Sequence, residues 1–198
     1  MKFLLGEPTV DLDILDSEGE TILHILLETW PSIRNETLQK GLEALMVEFL
    51  DRTSQIDAQN LTTGRTILHL AIDNQHFNFL TVKILQSKTP NLNLQSSWHQ
   101  NLFSIWTREI FETRRQTSLT EEDLAILNLL LKTGADPYQE IIPLASIPYD
   151  TAQKKYQVEL LDPETTLALK ISPFSHLIQS NRPMTQMVEV LLDNHTDF

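Results

Sequence analysis

Gly64-Arg65-Thr66-Ile67-Leu68-His69-Leu70-Ala71 is a glycine turn that runs straight into an apolar helix start, and its reading decides the fold. Forty-five residues upstream, Gly19-Glu20-Thr21-Ile22-Leu23-His24-Ile25-Leu26 repeats five of its eight residues in register. Chance seldom does that, so one supersecondary unit has been used more than once. A weaker copy opens at Asn101-Leu102-Phe103-Ser104-Ile105-Trp106, with Ser in the His slot and Trp in the small-residue slot. Another opens at Ser172-Pro173-Phe174-Ser175-His176-Leu177.

Each opening leads to a second apolar stretch and a polar exit. After the first, Leu23, Leu26 and Leu27 keep core spacing in a helix that ends near Trp30, because Pro31 would cost a helix interior about 3 kcal/mol. A second helix is predicted from about Glu36 to Arg52, with Leu38, Leu42, Leu45, Met46, Phe49 and Leu50 on one stripe. The next unit has a helix from Thr66 to about Gln75, then Leu80, Val82, Ile84 and Leu85, then the exit Asn91-Leu92-Asn93-Leu94. In the third, Thr120 with Asp123 predicts a helix cap, and Leu124 to Lys132 leads into Thr133-Gly134-Ala135-Asp136-Pro137. The fourth ends on Met187 to Leu192 and Asn194-His195-Thr196-Asp197.

These openings and exits resemble the ankyrin repeat, whose helix start reads T-P-L-H-x-A within a period of about 33 residues. Ile22 and Ile67 stand where that family has Pro, and His195 where its loop has Gly. The resemblance implies an all-α solenoid of about four helix-turn-helix repeats, with hairpin-like turns on one edge. The units divide as a partial repeat over 1–15 and repeats over about 16–60, 61–95, 96–138 and 139–198. Phe3-Leu4-Leu5-Gly6 and Val10 to Asp13 read as the end of a preceding unit. That, and the lack of a polar capping helix after Leu191-Leu192, is expected of a segment taken from a longer protein.

Spacing shows where the chain has grown. Leu50 to Leu85 is 35 residues, Leu85 to Leu131 is 46 and Leu131 to Leu192 is 61. The first and third units are expected to gain length between their helices, as longer helices with a longer turn. The largest excess falls at 139–171. There Tyr156, Val158 and Leu160 alternate with polar neighbours, Asp162-Pro163-Glu164 marks a turn, and Thr166 to Ile171 reads as a short strand. An inserted β-hairpin-like finger is expected. A solvated loop is the alternative, but it would have no use for so many aliphatic and tyrosine side chains.

Composition limits the function. Of 198 residues 41% are hydrophobic, enough for a sizeable core, and no apolar run reaches the roughly 18 residues a membrane span needs. Met1 to Leu5 is too short for a signal-peptide core. The chain has no cysteine, so disulfides and thiolate sites are excluded; a reducing, cytoplasmic setting is expected, and the sequons at Asn35, Asn60 and Asn194 read as accidental. A net charge of -12 argues against nucleic acid and anionic lipid and for a protein partner with a basic patch.

The search for chemistry returns no catalytic, cofactor-binding or metal-binding residue. His24 and His69 sit in the Thr-x-Leu-His slot, where the resemblance implies hydrogen bonding at the helix start. His76, His99, His176 and His195 have no metal-ligand spacing. Asp11, Asp13 and Asp16 fail the calcium-loop pattern, since Leu15 and Asp16 fall where oxygen and glycine are required. Glu121-Glu122-Asp123 opens a helix, where the dipole favours acidic side chains.

Recognition surface remains. In the family the turn tips and the solvent side of the first helices line a concave face that binds partners. Carried over by position, the tips are Ser17, Glu18 and Glu20, then Thr62, Thr63 and Arg65, then Ser97, Trp98 and Gln100. The helix positions are Glu28 and Thr29, Asp73 and Asn74, Arg108 and Glu109, and the finger adds Tyr149 and Tyr156. Trp98 is either a binding anchor or a side chain tucked against the finger. The expected function is a monomeric protein-protein interaction module that presents an acidic concave face. The alternative is a substrate-recruiting or regulatory domain of a larger enzyme. The irregular array is similar in style to those of secreted bacterial effectors, which would place it in a host cytosol.

Overall fold

The computed structural model describes residues 11–113, 119–142, 149–150, 155–156, 170–172, 175 and 185–194. Seven α-helices follow one another among them: α1 (Ile22–Thr29), α2 (Glu36–Arg52), α3 (Ile67–Ile72), α4 (Asn78–Ser87), α5 (Leu102–Arg108), α6 (Glu121–Thr133) and α7 (Thr185–Asn194). Two two-residue strands, β1 (Tyr149–Asp150) and β2 (Lys155–Tyr156), pair antiparallel. The readings of Phe3 to Val10, of Val158 to Ala168, of His176 and of His195 lie outside the described residues.

The helices form two layers. α3 lies between α1 and α5 in the layer of first helices, while α6 lies between α4 and α7 in the layer of second helices. α1 packs on α2, and α3 on α4, to close each pair. The core runs between the layers through Leu23, Met46, Leu50, Ile67, Leu68 and Ile84, and continues through Leu102, Phe103, Leu127 and Leu130. Burying each such side chain contributes about 1.5–3 kcal/mol, so the stack is held by apolar area shared between neighbouring pairs.

Local chemistry fixes where the helices start and stop. Thr21 and Thr66 accept from the backbone N–H of His24 and His69, whose rings receive the threonine N–H in return, so each start is a capping box with His in the place usually held by Glu. Thr120 and Asp123 close the same box on α6, as the sequence predicts, and Gly134 ends that helix in the left-handed region with φ 103°. Asn35, outside the sequence expectation, caps α2 by accepting from Thr37 and Leu38.

Two expectations need correction. The first helix of the second unit stops at Ile72 rather than near Gln75, because Asn74 accepts from the N–H of His76 and Phe77 and starts a 3-10 turn over Gln75–Phe77. Leu38 leaves the buried stripe and is 57% exposed in the first turn of α2. The strand Lys155–Tyr156 pairs with Tyr149–Asp150, a pairing outside the sequence expectation, while the turn expected at Asp162-Pro163-Glu164 lies outside the described residues. The added length does go into helices, as expected. α2 has 17 residues against 10 in α4, and α5 runs on as a π-helix over Glu109–Thr113.

Candidate protein-recognition face

The turn tips share one closure. The N–H of Asp16 donates to Glu20 O (3.1 Å), Asn60 to Arg65 O (3.0 Å) and Ser96 to Gln100 O (2.8 Å). Ile141 and Ile171 exchange both hydrogen bonds at 2.9 Å. Glu20, Arg65, Gln100 and Ile171 are therefore equivalent, and the next residues, Thr21, Thr66, Asn101 and Ser172, are the helix caps. Asn101 Oδ1 accepts from Ser104 N at 2.9 Å and Ser172 Oγ from Ser175 N at 3.1 Å. These bonds set the register of the third and fourth tips, which have no Gly-x-Thr signature.

The tips are also tied to each other. Leu61 N donates to Glu18 O (2.7 Å) and Ser97 N to Thr63 O (2.8 Å), so the loops run side by side like short strands. Side chains add to this: Asn60 Nδ2 donates to Glu20 Oε1 (2.6 Å), Thr62 Oγ1 to Glu18 Oε2 (3.1 Å) and Gln95 Nε2 to Glu140 O (2.7 Å). On the exit side, the Asp13 carboxylate receives Thr53 Oγ1 (2.6 Å), Ser54 Oγ (2.5 Å) and Ser54 N (2.9 Å). Those hydroxyls, Ser54 first, hold Asp13 down to about 2. Much of the acidic cluster thus knits neighbouring loops together.

The two histidines brace this edge from below. Both are fully buried. His24 Nδ1 accepts from Thr21 N at 3.2 Å, which leaves the proton on Nε2 to donate to Arg65 O of the next tip at 3.2 Å. His69 Nδ1 likewise accepts from Thr66 N at 3.2 Å. Its Nε2 faces the carbonyls of Leu94 and Gln100 without closing a well-formed hydrogen bond. Burial lowers both rings below the ordinary histidine value, and for His69, with Arg65 repelling a second positive charge, down to about 3. Both are neutral structural braces.

Seven residues after each cap comes the side chain that the first helix presents beside its tip: Glu28, Asp73 and Arg108. Arg65 Nη2 reaches Asp73 Oδ2 at 2.6 Å and His69 O at 3.3 Å, and Arg108 Nη2 binds Asp73 Oδ1. Burial works to raise Asp73, but the two guanidiniums outweigh it and keep the carboxyl below its usual range. Glu28 is raised, by burial first and then by Glu20, with Arg65 opposing.

Most of the candidate residues fall on this face. Ser17, Glu18, Glu28, Thr29, Thr62 and Ser97 are exposed, while Glu20, Thr63, Arg65, Asp73, Asn74, Trp98 and Arg108 are half-buried. Two do not face solvent. Gln100 is 3% exposed, its amide donating to Ile142 O and to Trp98 O, and Glu109 is 8% exposed as the π-helix turns it inward. Both are withdrawn from the recognition surface. Tyr149 and Tyr156 are cross-strand partners in the inserted segment. Sequence reading missed the bridge between Arg65, Asp73 and Arg108; the seven-residue offset from each cap is the signal that finds it.

Among the described residues no group of three His, Asp or Glu side chains could hold a metal ion, and no helix is long and apolar enough to cross a membrane. The chain is similar to the crystal structure of an ankyrin repeat domain from Acinetobacter baumannii AYE, at 18% identity and a TM-score of 0.48 over 98% of this chain and 90% of that one. It is also similar to an ankyrin repeat protein at 16% identity and a TM-score of 0.43, over 96% of this chain and 88% of that one. No protein-family profile and no curated protein matches its sequence. The paired helices, the Thr-x-x-His caps and the hydrogen-bonded row of tips make the architecture a two-layer helical stack with a turn edge.

Proposed function

We propose that the chain is a protein-recognition module that engages a partner along the row of turn tips, with Glu18, Glu28, Thr62 and Ser97 as its exposed polar contacts and the inserted segment as an added element. One observation carries the reading. The exchange between Ile141 and Ile171 occupies the place where the other tips close, so the residues from 142 to 170 grow from the same edge as the other tips. An insertion there adds to the surface that the tips already form, and stacks tolerate it because each unit contacts only its neighbours.

The test compares capture of proteins from a lysate by the parent chain, by a chain lacking Tyr149 to Thr166, by Glu18→Lys with Glu28→Lys, and by Lys83→Glu on the second-helix layer. Partners should be lost from the deletion and from the paired Glu→Lys variant and kept by Lys83→Glu, with helix content nearly unchanged throughout. Equal capture by all four would overturn the proposal.

A further inference from the structure

The recognition face is electrically polarised along the stack. At the two equivalent positions of each unit stand Glu20 and Glu28, then Arg65 and Asp73, then Gln100 and Arg108. The first unit presents two carboxylates and no cation, the second one of each, and the third one cation. Resting on the recognition reading above, we infer that this face selects a partner segment by the order of its charges, placing a Lys or Arg over Glu20 and Glu28 and a carboxylate over Arg108.

Both ends are unsatisfied within the molecule. At the acidic end Glu28 is raised, by burial first and then by the neighbouring Glu20, and Glu20 receives a neutral amide from Asn60. A cation placed between them would remove that repulsion. At the other end two guanidiniums share the single carboxylate of Asp73, which leaves a surplus of positive charge in a chain whose net charge is -12. Arg65 Nε is buried with no acceptor, and among the described residues Arg108 spends only Nη2 on Asp73. A half-exposed guanidinium with free N–H groups is a ready receiver for a carboxylate, with which it makes short charge-assisted hydrogen bonds. Asp73 holds both arginines in place, so little side-chain freedom is lost when the carboxylate arrives.

Geometry sets the spacing. Packed helices lie about 8–10 Å apart, and the Arg108 guanidinium reaches back to Asp73, one step from Glu28 in the first-helix layer, so the two charges are separated by roughly 10 Å. An extended segment rising about 3.3 Å per residue covers that in about three residues.

The experiment uses the whole chain and three glycine-rich peptides: one with Lys at one end and Glu at the other at that spacing, one keeping only the Lys residues, and one keeping only the Glu residues. NMR follows the side-chain carboxyl carbons of Glu20 and Glu28 and the Nε–H of Arg108 at low salt. The Lys-only peptide should shift the first pair alone and the Glu-only peptide the Arg108 signal alone. The mixed peptide should shift both, with affinity on the order of tenfold above either control because its second contact is intramolecular. Arg108→Gln should abolish binding of the Glu-only peptide, read from the backbone amide signals of Arg65 and Asp73, and leave the Lys-only response intact. Asp73→Asn, which frees both arginines, should strengthen the Glu-only response. If the Lys-only peptide binds at Glu28 and the Glu-only peptide leaves Arg108 unmoved in the parent and in Asp73→Asn, the polarity is refuted while recognition along the tips stands. If every peptide perturbs only residues away from the tips, the recognition reading fails with it.

Discussion

The second and third tips close the same turn with different residues. At the position before Arg65 and Gln100 the second tip has Gly64 at φ 64° and the third has His99 at φ 54°. Both backbones are in the left-handed region, where a side chain costs about 1–2 kcal/mol, and yet only one of them is glycine. The difference lies in what packs against the turn. A Cβ on Gly64 would sit 2.5 Å from Ser97 N and 3.0 Å from Ser97 Oγ, because the third tip presses directly on the second. Gly19 is in the same position under the second tip, with Gln59 O at 2.9 Å. The glycine of a Gly-x-Thr turn is therefore required by the neighbouring tip more than by the turn itself. It disappears where the next tip has been replaced by an insertion.

The largest expected effect tests that contact. Gly64→Ala should destabilise by about 3 kcal/mol or more, combining backbone strain with a main-chain clash, whereas His99→Gly should stay within about 1 kcal/mol of the parent. Urea denaturation of the two variants measures both, and equal losses would show that the neighbour does not matter. The caps come next. His69→Ala removes a fully buried ring and half of a capping box, and should cost about 2 kcal/mol or more; Ser104→Ala at the equivalent place in the third tip should cost about 1 kcal/mol or less.

Acid sharpens the same contrast. His69 stays neutral in the folded state because its value lies near 3 against an ordinary 6.5, so on acidification the unfolded chain takes up a proton that the folded chain refuses. This contribution is fully present above the ordinary value and is lost as pH falls below it. The loss for one such histidine is about 1 kcal/mol between pH ~6.5 and ~5.5. His69→Gln should flatten the pH dependence of the urea midpoint in that window, and an unchanged slope would mean that His69 accepts the proton in place. The smallest effect is at Asp13, held below the ordinary carboxyl value by Ser54 and Thr53. Its contribution is present above the ordinary value of 3.8 and fades as pH falls toward about 2. Asp13→Asn should move the midpoint by a few tenths of a kcal/mol at most at neutral pH.

How much could be read in the sequence followed the same physics. The pairing of helices, the Thr-x-x-His caps and the box at Thr120 and Asp123 were legible because each is local, set by residues three apart. The caps of the third and fourth tips were harder to read, since Asn101 with Ser104 and Ser172 with Ser175 make the same cap through other side chains. The inward turns of Gln100 and Glu109 also escaped. The first depends on the carbonyl of Ile142, 42 residues on, and the second on a π-helix with no marker in its residues. Packing context explains a further contrast between identical residues. Ile22 is 37% exposed while Ile67, at the same point of the next unit, is 1% exposed because α1 covers it.

The antiparallel exchange between Ile141 and Ile171 makes the turn edge a cassette. Both ends of the insertion meet at one residue pair that the stack already uses to close a turn, so the stack meets a long insert through the same two backbone groups as a short one. Going from the four residues enclosed between Asn60 and Arg65 to the 29 between Ile141 and Ile171 adds only about 2 kcal/mol of closure entropy. At so small a cost, lineage divergence or a protein engineer could exchange the contents of that loop for another sequence. The helices beneath would register little, and the surface on that edge could change independently of how the chain folds.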